Sequence, residues 1–274
     1  MRLECGVSAE EAADELGISL ATMSRIENGK TSVGVSAVRA LCAMYEHPEL
    51  AEAFAALAKS SKAKSPYRAF SDVIPEWFDV YIGLEQAAAS FRWYEAQLVP
   101  GILQTGDYAR TVVRTDHPED AEVDVDRRVQ LRLKRQALLT RRHKTPTWEI
   151  ILDEGIVHRP IGGSEVMCEQ LQRLREVADL PNVTLGIVPF DAGVHTGVTS
   201  GPFVLLDFPI NTGRRQPKEP TTVYVEGFTG ALYSDEQAHI EKYQIAFDGM
   251  RRVVLPEVKA KALLERAMKE MKRT

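Results

Sequence analysis

The segment between residues 8 and 30 constrains the fold of this chain more than any other. Ser8 and Glu11 have the spacing of a capping box, in which each side chain accepts a hydrogen bond from a free amide at a helix start. Gly17 interrupts the helical pattern, and Ser19 then begins a second helix. A turn of about three or four residues between two such helices is typical of the helix-turn-helix unit, whose second helix enters the major groove of DNA. The spacing therefore predicts a DNA-binding domain.

The residues around this turn also carry a family resemblance. Residues 12–30, Ala-Ala-Asp-Glu-Leu-Gly-Ile-Ser-Leu-Ala-Thr-Met-Ser-Arg-Ile-Glu-Asn-Gly-Lys, resemble the phage-repressor-type (XRE-like) helix-turn-helix regulators. In that family Ser-Arg-Ile-Glu-Asn-Gly-Lys is a frequent ending of the recognition helix. The resemblance implies sequence-specific binding to double-stranded DNA.

Helix geometry and this resemblance together predict which side chains contact DNA. Met23 and Ile26 lie three positions apart and are expected to face the core. On the opposite face, the resemblance implies four base-contacting positions: Ser19, Leu20, Ala21 and Arg25. Arg25 has the fork of donors that a guanine edge accepts. Three further residues are predicted to contact phosphates: Thr22, Asn28 and Lys30.

The net charge of the N-terminal region argues against DNA binding. Residues 1–58 carry four basic side chains against nine acidic ones, a net charge of −5, so their attraction to phosphates is weak. Family members also begin with a full, usually basic first helix, of which only residues 2–5 remain here. We therefore expect an upstream start codon or a truncated gene. A helical hairpin that binds protein instead of DNA is the alternative interpretation.

Composition is that of a cytoplasmic globular protein. Hydrophobic residues make up 44% and charged residues 27%, which is ordinary for folded domains. No apolar run reaches the roughly 18 residues that cross a bilayer, and no signal-peptide core follows Met1. Cys5, Cys42 and Cys168 are widely spaced, which argues against a disulfide framework or a zinc site. We predict a protein without membrane contact, metal or cofactor.

A change of composition near residue 60 divides the chain. Residues 1–58 are predicted to form the all-α helix-turn-helix domain, and the polar, basic residues 59–74 a linker. From residue 75 to 274 helical and strand patterns alternate, and apolar runs such as 183–188 predict strands buried on both faces. The predicted fold class is α+β, with a mixed layered domain of about five strands after the helical one.

A second resemblance covers this C-terminal region. Residues 84–110 look similar to the large domain of unknown function that follows such a helix-turn-helix in actinobacterial regulators described as toxin–antitoxin-like. Later stretches, including Arg132-Leu-Lys-Arg-Gln136 and Pro181-Asn-Val183, look similar in the same order. The resemblance implies a transcription regulator, often encoded beside a small partner protein, and it implies no catalytic residues.

The C-terminal region nevertheless contains candidate acid–base side chains. Asp153, Glu154 and His158 cluster near a predicted strand end, and His195 lies in a glycine-rich loop. However, the chain has no zincin, nucleophile-elbow, phosphate-loop or dinucleotide-binding motif. The simplest interpretation of Asp153 and Glu154 is that they end a strand and cap the next element of the chain. We predict that the domain is not an enzyme.

Two further places in this region are candidates for binding. A basic helix predicted for residues 126–142 offers a docking surface for an acidic partner through three arginines: Arg128, Arg132 and Arg135. The alternative is a solvated face that pairs with the acidic stretch just before it. A ligand pocket is expected near the 98–106 loop, where Gln104 and Tyr108 are candidate contacts, or near the 191–201 loop.

Together these features predict a sequence-specific, antitoxin-like transcription regulator. A homodimer is expected because two-fold symmetry lets two copies bind two half-sites. The C-terminal domain is expected to hold the dimer and to bind a small partner protein or ligand. Two alternatives stay open, an antitoxin that mainly sequesters a partner protein and an enzyme fused to a DNA-binding module.

Overall fold

The computed structural model describes residues 2–3, 5–27, 33–51, 54, 67–209 and 220–273. The chain divides into two compact units, Met1–Arg68 and Ala69–Thr274. No helix in these described ranges is long and apolar enough to cross a membrane.

The first unit is helical. It contains α1 (Ala9–Leu16), α2 (Leu20–Glu27), α3 (Val35–Met44) and a 3-10 turn at Pro48–Leu50. The predicted capping box is confirmed, since the Glu11 amide donates to Ser8 Oγ at 3.1 Å and the Ser8 amide to Glu11 Oε2 at 2.7 Å. Gly17 follows α1 at a φ of 62°, which glycine adopts without steric cost. The apolar spacing of Leu50, Phe54 and Leu57 also predicts a helix over 48–58, but most of that range lies outside the described residues.

The second unit alternates helices with strands. Its helices are α4 (Glu76–Ala87), α5 (Gly106–Asp116), α6 (Glu122–Arg135), α7 (Glu154–His158), α8 (Ser164–Ala178), α9 (Thr196–Ser200), α10 (Gln237–Arg251) and α11 (Glu257–Met271). Its strands are β1 (Ser90–Glu95), β2 (Thr147–Asp153), β3 (Val183–Val188), β4 (Phe203–Asp207), β5 (Thr222–Gly227) and β6 (Gly230–Ser234).

The strands form one mixed sheet in the order β3-β2-β1-β4-β5-β6. The first three run parallel, as crossover helices allow, and β4, β5 and β6 add antiparallel strands on the other side of β1. The carboxyl ends of β1, β2 and β3 therefore meet at one edge of the sheet. In α/β sheets this edge is where ligand and active sites are usually found.

Both faces of the sheet are covered, which explains the apolar strand sequences. One face packs on α4, α8 and α11 in a core that includes Trp93, Trp148 and Leu171. The other face packs on α10 in a core that includes Tyr94 and Phe247. Helices on both faces of the sheet place the candidate sites at its edges.

The structure confirms the α+β fold class and corrects three details. The sheet has six strands instead of about five, because the short β6 has a weak strand pattern and forms by pairing with β5. The spacing of Ser234 and Gln237 also predicts a capping box, which is wrong, since Ser234 ends β6 and Glu236 precedes α10 without a side-chain cap. The basic helix is α6, which begins earlier than predicted and ends at Arg135.

Candidate functional site

Helix α2 turns one face inward and the other to solvent. Met23 is 1% exposed and packs with Ala12 and Ala13 of α1. Leu20 is 46% exposed. The other predicted base-contacting residues, Ser19, Ala21 and Arg25, are also exposed. A recognition helix needs this arrangement, while the DNA contacts themselves stay a prediction.

The start of α2 is held by two hydroxyl groups. Ser19 Oγ accepts a hydrogen bond from the Thr22 amide at 3.2 Å and lies 2.9 Å from Thr22 Oγ1. This is the bond of a helix N-cap, and it satisfies one of the free amides of the first turn. The amides and the helix dipole together attract anions to such an end. A phosphate contact by Thr22 would be made here.

The end of α2 is held by Arg2. Its guanidinium is ion-paired with Glu27 and donates to the Val7 carbonyl at 2.8 Å. The ion pair offsets the charge of an acidic side chain two positions after Arg25. Arg25 itself has no ion pair or hydrogen bond with another side chain in the described part of the chain. Asn28 and Lys30, the other predicted phosphate contacts, lie outside the described residues.

The three arginines predicted to form a docking surface on α6 have partners within the unit. Arg128 donates to Asp120 Oδ2 at 3.0 Å and to the Val73 carbonyl at 2.6 Å. Arg132 is half-buried and donates to Gln104 Oε1 at 2.8 Å. Arg135 is 3% exposed and pairs with the buried carboxylate of Glu85.

This placement removes Arg135 from the predicted docking surface, while a partner contact by Arg128 or Arg132 stays a prediction. Arg135 cannot reach a partner because its guanidinium is buried beneath α6, and Arg128 is already bonded to a carboxylate and a carbonyl. The basic residues of α6 hold neighbouring segments in place. The acidic stretch before the helix pairs with Arg128 of α6, as the alternative interpretation expected. It also pairs with Arg110 and Arg114 of α5.

The 98–106 loop is held by the two residues predicted as ligand contacts. Gln104 Nε2 donates to the Val99 carbonyl at 2.8 Å, and the Val99 amide donates to Tyr108 Oη at 3.1 Å. Gln104 is 3% exposed and Tyr108 is fully buried. Both side chains therefore order the loop after β1, and a ligand role for them finds no geometric support.

An acidic side chain is recessed at the carboxyl end of β1. Burial raises the pKa of Glu95 to about 8, even though Trp93 Nε1 donates to its Oε1 at 3.2 Å. Glu226 lies two positions after Tyr224 on β5, as Glu95 lies two positions after Trp93. The sheet register puts both glutamates on the same face, and the Tyr224 hydroxyl donates to Glu226 Oε2 at 2.9 Å.

A cation lies near Glu226. Burial lowers the pKa of Arg132 to about 10, and the charge of Glu226 opposes that shift. A half-buried arginine bonded to a neutral amide retains donors for an anionic group. Sequence reasoning missed both glutamates. The available signal was strand alternation, which puts Glu95 on the same face as the apolar Phe91 and Trp93.

The four candidate acid–base residues do come together at the carboxyl edge of the sheet. His195 Nε2 lies 3.7 Å from Asp153 Oδ2, and His158 Nε2 lies 3.1 Å from Glu154 Oε1. Three of these side chains also accept backbone hydrogen bonds. The donors are the amides of Gly155 to Asp153, Phe190 to Glu154 and Gly197 to His195.

These backbone contacts explain the cluster as local structure. Asp153 caps α7, as predicted, and His195 caps α9 through Nδ1. Because Nδ1 of His195 accepts the Gly197 amide, Nε2 is the ring nitrogen that faces Asp153. Within the described residues, no group of three or more His, Cys, Asp or Glu side chains is arranged to hold a metal ion.

Two parts of the chain match known families. Residues 1–54 match a helix-turn-helix domain family, which suggests a DNA-binding regulator. Residues 78–266 match the family described as domain of unknown function DUF5753. Neither the curated proteins nor the solved structures contain a match to this chain. Since residues 78–266 make up more than half of its length, the chain belongs to the DUF5753 family.

Proposed function

We propose that this chain is a sequence-specific transcription regulator that contacts base edges through Ser19, Leu20, Ala21 and Arg25. The observation that carries the proposal is the solvent-exposed face of α2, opposite the buried Met23. Arg25 is the one long cationic side chain on this face, and its guanidinium matches the two acceptors of a guanine in the major groove.

The low positive charge of the first unit limits binding to DNA in general. Attraction to phosphates depends on local charge at the docking face, which the Arg2–Glu27 ion pair makes less acidic. Few phosphate contacts mean that a larger share of the binding free energy comes from the bases. The proposed regulator therefore has low affinity for DNA of arbitrary sequence and relies on base contacts to bind its own site.

The experiment selects duplexes from a randomised pool with the full chain and measures their affinity by fluorescence anisotropy. An enriched sequence is expected. Arg25→Ala should weaken binding to it by about 1–3 kcal/mol and relax the preference at one base pair. The matched control is Arg266→Ala, an exposed arginine of α11. A pool without enrichment, or equal effects of the two substitutions, would contradict the proposal.

We propose further that the second unit forms a homodimer and binds a small partner protein or ligand that changes DNA occupancy, as in antitoxin-like regulators. The general reason for a dimer is that two linked recognition helices gain affinity for a two-fold DNA site. The recessed Glu95 beside the exposed Glu226, with Arg132 near Glu226, supports a ligand of small, charged chemistry. Co-purification of the tagged chain from its native cells tests this part. Recovery of no protein or metabolite would contradict it.

A second candidate function, acid–base catalysis, is favoured by the 3.7 Å approach of His195 to Asp153. We propose that the second unit is not catalytic, because a backbone amide bonds to Asp153 Oδ1 and another to His195 Nδ1, so that both side chains serve as helix caps. The test screens the full chain against general hydrolase and transferase substrates beside its His158→Ala and His195→Ala variants. A rate that either substitution abolishes would show an enzyme instead.

A further inference from the structure

Strand β6 leaves one edge of the sheet open. Among the described residues it is the last strand in the order and pairs only with β5, through a tight hairpin in which Gly227 lies opposite Gly230. Apart from β5, no backbone group in the described ranges bonds to the backbone of residues 230–233. An edge of this kind presents a row of free amides and carbonyls that another strand can pair with.

The opposite edge of the same sheet, formed by β3, is partly covered. At β3 the Leu255 amide donates to the Ile187 carbonyl at 2.8 Å, so the chain itself covers part of that edge. Proteins otherwise protect an open edge with charged side chains, proline or a bulge. Residues 227–234 contain no charged residue and no proline. The open edge at β6 therefore lacks the usual protection against pairing.

Two exposed apolar side chains lie on β6 and on the hairpin that precedes it. Leu232 is 53% exposed, although it lies opposite the half-buried Val225 on the face that packs against α10. Phe228, at the tip of the hairpin, is 98% exposed. A further strand beside β6 would place side chains next to Leu232 and remove it from water, which is favourable for apolar surface.

We propose that the occupant of this edge is β6 of a second copy of the chain, paired antiparallel across a two-fold axis. An antiparallel strand is complementary to itself, so the same residues serve both copies and the assembly closes as a dimer. With the axis near Leu232, Gly230 of one copy lies opposite Ser234 of the other. No like charges then face each other, because the acidic residues Asp235 and Glu236 lie beyond the paired segment.

This inference rests on the homodimer of the proposed function and names its interface. Light scattering with size-exclusion chromatography on the full chain, without DNA, measures the assembly. The wild type should have twice the 30.6 kDa mass of one chain. Leu232→Lys should weaken the dimer at least about tenfold, because two lysines would face each other across the axis. Leu232 is already half exposed, so the variant should keep the wild-type circular dichroism spectrum.

The matched control is Ile245→Lys, which places the same charge on α10 at a residue that is 70% exposed. It should leave the dimer intact. A dimer that survives Leu232→Lys would overturn the interface but not the homodimer. A wild-type chain that stays monomeric, or that forms assemblies larger than a dimer, would overturn both. A monomer that instead holds a different protein, released by Leu232→Lys, would show that the edge serves another partner.

Discussion

Arg135 of α6 makes two hydrogen bonds to the Glu85 carboxylate of α4, from Nε to Oε2 at 2.9 Å and from Nη2 to Oε1 at 2.6 Å. Glu85 is fully buried and Arg135 is 3% exposed, with its guanidinium over the rings of Phe78 and Tyr81. Removal of one partner from such a pair leaves an uncompensated charge in the core. Glu85→Ala should therefore lower the free energy of unfolding by about 3–5 kcal/mol in urea denaturation.

The matched control for this pair is Glu122→Ala. Glu122 binds Arg110 and Arg114 at the surface, where its side chain is 75% exposed, and exposed pairs contribute at most about 1 kcal/mol. Replacement of both core partners, as Glu85→Leu with Arg135→Met, should recover much of the loss because no charge is then left unpaired. Equal costs for Glu85→Ala and Glu122→Ala would contradict this account of the core.

Gly197 permits the close packing of α9 on the sheet. A Cβ atom at this position would lie 2.5 Å from Tyr94 Cζ and 2.6 Å from Met250 Sδ. Gly197→Ala should thus cost about 1–3 kcal/mol of stability through overpacking. Gly83→Ala in α4 should instead stabilise the protein by about 0.5–1 kcal/mol, since nothing lies within 4 Å of its Cβ and helices favour alanine. Thermal unfolding of both variants measures the contrast, and the same sign for both would contradict it.

Glu95 makes stability depend on pH. Its pKa is about 8 in the folded protein, against an ordinary value of 4.5, so between these values the folded state binds more protons than the unfolded state. The stabilising effect of the protonated form is complete below 4.5 and is lost as the pH rises through 8. The groups that face it are Glu226, the Trp93 indole and Tyr108.

Glu95→Gln keeps the acceptor for Trp93 but cannot ionise. When the pH is raised from about 5 to about 9, the wild type should lose stability that the variant keeps. The difference in unfolding free energy, measured by urea denaturation, should therefore shift in favour of the variant. Glu122→Gln, at an exposed glutamate, should track the wild type at both pH values. A constant difference between Glu95→Gln and the wild type would show that the carboxyl group is already ionised in the folded state.

Lys30 and Arg25 should affect DNA binding in different ways. Lys30 is predicted to contact a phosphate, so Lys30→Ala should weaken binding to all sequences alike and reduce the salt dependence of log K by about one unit. Arg25→Ala should change base preference more than salt dependence. Anisotropy titrations at several salt concentrations, on the selected sequence and on a scrambled one, separate the two effects. A base-specific effect of Lys30→Ala would reverse the two assignments.

The sequence by itself determined the local features of this protein. The capping box at Ser8 and the glycine turn at Gly17 depend only on neighbours a few residues away, and the apolar period of each element shows which side turns inward. For this reason the inward face of α2, the two-sided burial of the central strands and the α+β class were predictable.

Only the tertiary structure decided which polar side chains are buried, which partners they have, and whether the last strand forms. Arg135 belongs to a basic run along the chain, but its burial depends on Glu85, fifty positions away on another helix. Glu95 and Glu226 share one face of the sheet only through the register of β1, β4 and β5. Strand β6 exists because β5 offers it a partner. Hydrogen bonds and ion pairs between segments distant in sequence leave no periodic pattern along the chain, so sequence periodicity could not predict them.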